Sequence, residues 1–137
     1  MNEWFERTGS LVGGKRDYRW TVQDYVRTYR RGLLTPSEVI DRVIDAVNKS
    51  RSGSTPLGAI TRISEQWCRT AAAESTKRYA GGHQQSSARS VWEGVPILVD
   101  SGLNIMGVGT THGAPFAVGS VMARADSVAL RRMKTAG

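Results

Sequence analysis

From Thr21 onward the apolar positions of this chain recur with a helical period. Val22, Tyr25, Val26 and Tyr29 fall on one face. Thr21 stands where an N-cap is expected, Asp24 three residues on closes a capping box, and Gly32 supplies the C-terminal stop. The next stretch is the most regular. Thr35 is the expected N-cap, Pro36 takes the first helical position, and Glu38 completes a second capping box. Val39, Ile40, Val43, Ile44 and Val47 form an unbroken apolar stripe. Burying five such side chains contributes on the order of 7–15 kcal/mol before conformational entropy is subtracted, so this helix must pack on something. Asn48 to Thr55 reads as a Ser/Gly/Arg loop and residues 57–63 as a short extended segment.

A third helix is expected from Ser64 to Tyr79, where Ala71, Ala72 and Ala73 favour it. Gly81-Gly82 stops it, and His83 to Ser90 reads as a polar loop. Val95 to Val99 is a compact apolar run between Gly94 and Asp100, which predicts a buried strand. Gly102 to Gly119 holds five glycines and one proline and predicts an irregular loop. A last helix opens at Asp126. It carries Val128, Ala129, Leu130 and Met133, with Arg131, Arg132 and Lys134 toward the end that the helix dipole makes negative. These elements imply an α/β fold in which helices cover one face of a single strand. Residues 1–20 form a polar lead broken at Gly13-Gly14, and residues 21–137 form one domain. A lone strand leaves unpaired backbone groups on both edges. The chain is therefore expected to associate, as a homo-oligomer or with a partner chain.

Composition narrows this picture. Apolar residues make up 39% of the 137 and charged residues 23%, which suits a globular chain rather than a disordered tail. No apolar run nears the ~20 residues that cross a bilayer. The net charge is +7, mostly from arginine, and such a balance suits an acidic partner: RNA, an anionic membrane or an acidic protein. The basic residues are interspersed with Glu38, Asp41 and Asp45 rather than gathered in a tract, so charge gives nucleic acid only weak support. The lone Cys68 cannot form an internal disulfide and fits a reducing compartment, as a structural thiol rather than a nucleophile. His83 and His112 share no ligand spacing with each other or with Cys68, and neither a metal nor a cofactor is expected. There is no apolar signal core, and Glu3, Glu6 and Asp17 are foreign to a mitochondrial transit peptide. The expected location is cytoplasmic, with an already processed mitochondrial chain as the alternative.

One set of motifs resembles a known family. Gly32-Leu33-Leu34-Thr35-Pro36 leads into Ser37-Glu38-Val39, and Pro56-Leu57-Gly58-Ala59-Ile60 follows. After an alanine-bearing helix come Gly94-Val95-Pro96-Ile97-Leu98-Val99, then Gly107 and Thr110-Thr111-His112-Gly113. The run from Asp126 through Leu130-Arg131 to Ala136-Gly137 closes the series. In this order the pieces resemble the opening of the amidase signature fold, over roughly residues 20–137. Amide hydrolases, allophanate hydrolases and the A subunit of glutamyl-tRNA amidotransferase share the pattern. The resemblance implies a partial amidase-signature fold: the N-terminal helices, the first core strand and the helix after it. The implied parent activity is hydrolysis of a carboxamide C–N bond by a Ser–Ser–Lys triad, with the middle serine on a cis peptide bond.

The resemblance places the lysine of that triad at the end of the Gly-Val-Pro strand. Counted from Gly94, that position is Asp100, and the aspartate that follows it in the family is Ser101. A shifted alignment drops the lysine and matches Asp100 to the family aspartate. Lys77 and Lys134, the nearest lysines, fall in expected helices. At neutral pH an aspartate is an anion where a lysine is a cation, so one cannot stand in for the other. The family's serines lie beyond this sequence, and Ser101 and Ser120 have no matching context. No catalytic residue is assigned, and the chain is expected to be a non-catalytic fragment or degenerate homologue. The alternative is a small basic structural or binding subunit of a larger assembly, one that could contain RNA. Asp100 reads either as a replacement base or as a carboxylate capping loop amides, and the second fits better. His112 lacks a carboxylate partner in sequence. Thr110, Thr111 and Gly113 read equally as a ligand loop or as turn chemistry.

Overall fold

The computed structural model of the chain describes residues 20–52, 58–80, 87–109 and 122–137. Among them are four helices: α1 (Val22–Arg30), α2 (Pro36–Ser52), α3 (Glu65–Tyr79) and α4 (Val128–Ala136). None of the described helices is long and apolar enough to cross a membrane.

Local chemistry sets the helix ends. At α1 the Thr21 side chain accepts from the Asp24 amide while Asp24 accepts from the Thr21 amide at 2.9 Å, a complete capping box. At the other end Gly32 adopts φ 65°. The Gly32 amide reaches the Tyr29 carbonyl at 3.0 Å and the Leu33 amide reaches that of Thr28 at 3.2 Å, the Schellman pattern. At the head of α2, Glu38 accepts from the Thr35 amide at 2.7 Å and returns its own amide to Thr35 Oγ1 at 3.2 Å. The helix runs to Ser52, past the loop expected from Asn48. Lys49 and Arg51 suit its negative end, and Arg51 donates to the Ile60 carbonyl at 2.9 Å, which ties the extra turn down. α4 begins at Val128 rather than at Asp126. Ser127 is its N-cap, because Asp126 is engaged with the Met106 amide and with Lys134, each at 2.8 Å.

α2 and α3 pack side by side. Val39, Ile44 and Val47 of the expected stripe are buried, and Ile40 and Val43 half-buried. Ser37 and Thr76 join the two helices by hydroxyl contact at 2.9 Å. Arg69 bridges Asp41 and Glu65 at 2.9 Å each, on an exposed face where such pairs contribute little. The core beside α1 is aromatic. Trp20, Tyr25, Tyr29 and Tyr79 form a series with ring centroids 5.0, 6.1 and 5.3 Å apart, packed with Leu34 and Val39.

The expected buried strand is not found. Among the described residues the architecture is helical, and β pairing is limited to one antiparallel bridge between Gly109 and Met122. Val95 to Val99 is irregular, and Leu98 is 74% exposed. An apolar run becomes a buried strand only when a neighbour takes its amides and carbonyls. No described segment does so. Residues 58–64 are likewise irregular, and 102–108 form turns and irregular backbone, as expected of a glycine-rich segment.

Candidate functional site

The most organised polar feature is built on Glu93, in the turn just before Gly94-Val95-Pro96. Its side chain is completely buried. One carboxylate oxygen accepts from Ser75 Oγ at 2.5 Å and from Arg78 at 2.8 Å, both on α3. The other accepts from the Arg89 amide at 3.2 Å and its Nε at 2.9 Å. Burial is the largest influence on this carboxyl and pushes its pKa up. The donors from Arg89, Arg78 and Ser75 together outweigh it and hold the group down at about 2. Glu93 is therefore a buried anion at neutral pH, with its acceptor capacity filled.

The backbone around it is held as firmly. Tyr79 Oη donates to the Glu93 carbonyl at 3.2 Å, and Tyr29 Oη to that of Gly94 at 3.0 Å. Burial raises the pKa of both phenols, so they remain donors. Gly94 has φ 73°, and a Cβ there would lie 2.7 Å from Pro36 Cγ. Pro36 is itself fully buried. From the other side Ser90 Oγ donates to the Ala136 carbonyl at 2.6 Å, and the Gly137 backbone lies directly on Glu93. The Thr35-Pro36 cap, the Gly-Val-Pro segment and the Ala136-Gly137 end of α4 thus converge on one turn, although they lie far apart in sequence.

That turn sets the starting point of the stretch leading to Asp100. Asp100 is exposed. Its Oδ1 accepts from the Gly102 amide at 2.7 Å and its carbonyl from the Leu103 amide at 3.1 Å, so the carboxylate caps a turn. Ser101 is exposed beside it. Lys77 is exposed on α3 and paired with Glu74 at 2.9 Å. Lys134 is bound to Asp126 and lies 5.0 Å from the Trp67 ring centroid. Cys68 is half-buried on α3, and burial raises its thiol pKa, which disfavours the nucleophilic thiolate. Thr110, Thr111, His112, Gly113 and Ser120 lie outside the described residues, as does His83. Among the described residues no group of three His, Cys, Asp or Glu side chains could hold a metal ion.

Glu93 does not stand out in the sequence. It is one acidic residue in a polar, non-periodic stretch, and its α3 donors lie 15 and 18 residues upstream. The one local signal is Arg89, four residues before Glu93, which itself directly precedes the glycine that must turn.

Comparison with known proteins finds distant relatives. No family model matches the chain, and no solved structure matches it. It is 24% identical over 118 residues to a fatty acid amide hydrolase of Oryza sativa subsp. indica, covering 86% of this chain and 19% of that protein. It is 29% identical over 91 residues to the mitochondrial A subunit of glutamyl-tRNA(Gln) amidotransferase from Bos taurus, covering 66% of this chain and 16% of that one. The Canis lupus familiaris counterpart is 28% identical over the same length. The chain thus spans less than a fifth of the length of these relatives. Both kinds of relative are amidase signature proteins, and it is to that family that this chain is distantly similar.

Proposed function

We propose that the chain supplies the N-terminal scaffold of an amidase-signature-type domain, whose parent activity is hydrolysis of a carboxamide C–N bond, and that it is not catalytic by itself. The observation that carries this reading is the convergence of the family-like segments on the Glu93-Gly94 turn, from which the chain runs to Asp100. Where the resemblance calls for a lysine able to take a proton from a serine, an aspartate caps the Gly102 amide instead. The exposed Ile97, Leu98 and Leu103 of the same stretch fit association with a further chain or segment.

The test is a hydrolysis assay of the purified chain against a panel of amides and aryl esters, with a fluorophosphonate probe for reactive serines. Turnover at the buffer blank and no labelling are expected, since loss of triad members typically costs about 10⁴-fold or more. Turnover abolished by one point substitution would overturn the proposal.

A further inference from the structure

We propose that the groove between α1 and the Val91-Trp92 turn docks a short acidic segment of a partner protein that carries an apolar anchor residue. The groove encloses about 660 Å³. Val26, Val91 and Trp92 form its apolar wall, and Arg27, Arg30 and Arg31 its rim. Val91 is 56% exposed and Trp92 45%, large apolar surfaces for residues just ahead of the closely held Glu93-Gly94 turn. The backbone at Trp92 is held: its amide donates to Ser90 Oγ at 3.0 Å, and the next residue is the buried Glu93. Tryptophan beside arginines is the composition in which binding energy concentrates at protein interfaces.

Charge selects the partner. Arg30 and Arg31 form no ion pair with any described carboxylate, and Arg27 makes only a long contact to Asp24 at 3.7 Å. The negative end of α1 accounts for some preference for cations there. It does not account for an exposed apolar wall facing them. Guanidinium groups bind carboxylates through paired N–H donors, and the +7 chain would steer an acidic segment toward the rim. A cleft of this size accepts two or three side chains. Among the described residues of the groove one exposed aromatic, Trp92, is no stacking platform for single-stranded nucleic acid, and a concave wall does not fit a flat bilayer.

The test is fluorescence anisotropy of the full chain with a fluorescein-labelled Glu-Asp-Leu-Leu-Glu-Asp peptide. Binding is expected to be at least roughly tenfold tighter than for Lys-Lys-Leu-Leu-Lys-Lys or Glu-Asp-Gly-Gly-Glu-Asp, and to weaken as salt rises from about 50 to about 300 mM. Trp92→Ala, and Arg30→Glu with Arg31→Glu, should each weaken it at least roughly tenfold with the helical circular dichroism unchanged, while Trp92→Phe retains most of it. The proposal is overturned by equal binding of the three peptides, by variants that bind like the parent chain, or by no binding up to roughly 1 mM peptide. Tighter binding of an oligouridine probe would overturn it in favour of RNA. A Trp92-dependent dimer that excludes the peptide would overturn it in favour of a second copy of the chain.

Discussion

Replacing Glu93 by glutamine keeps the shape of the side chain and removes its charge, which isolates the ionic part of the buried anchor. The carboxyl falls from an ordinary 4.5 to about 2 on folding. At about 1.4 kcal/mol per unit this caps the ionic contribution at about 3 kcal/mol. Arg89 is 43% exposed and Arg78 23%, so solvent screens both partners and about 2 kcal/mol is a better figure. The two guanidinium groups left facing a neutral amide add to the loss, giving an expected destabilisation of about 2–3 kcal/mol at pH 7. For a chain of this length that is a fall in Tm of about 6–12 °C. The sign with pH follows from the depressed carboxyl. Its stabilisation is fully present above the unfolded value of 4.5 and is lost as pH falls through about 2. Urea melts of the parent and Glu93→Gln chains across that range should therefore converge at the acid end. Equal midpoints at pH 7, or a difference that does not change between pH 7 and the acid limit, would refute the ionic account of the turn.

Three further outcomes are expected. Gly94→Ala should cost about 2–4 kcal/mol by thermal melt, because its Cβ meets the buried Pro36; Gly32→Ala, also at positive φ but with open space around it, should cost about 1 kcal/mol. Asp100→Lys should create no amide hydrolysis and no fluorophosphonate-reactive serine, since a base without its nucleophile has nothing to activate; a labelled serine would refute the placement of this segment. Light scattering should find the chain associated or bound to a partner rather than a rigid monomer, with hydrogen exchange slowest in α2. A compact monomer with strongly protected Ile97 and Leu98 amides would show that the chain closes that stretch itself.

The sequence by itself determined what depends on neighbours three or four residues apart. The Thr21/Asp24 and Thr35/Glu38 capping boxes, the Gly32 stop, the stripe of α2 and the extent of α3 all follow from side chains competing for the same orphan amides or lying on one helical face. Ordered motif pieces also disclosed the distant family. Tertiary structure alone decided where those pieces meet. Ser75 and Arg78 lie in α3 and Glu93 in a turn, with no spacing that pairs them in sequence; only the docking of the turn against α3, Pro36 and the end of α4 brings them together. The same physics explains the missed strand. The apolar run Val95 to Val99 specifies a wish to be covered, but a strand is made by hydrogen bonds to another segment, and a pattern within five residues carries no information about whether that segment is present.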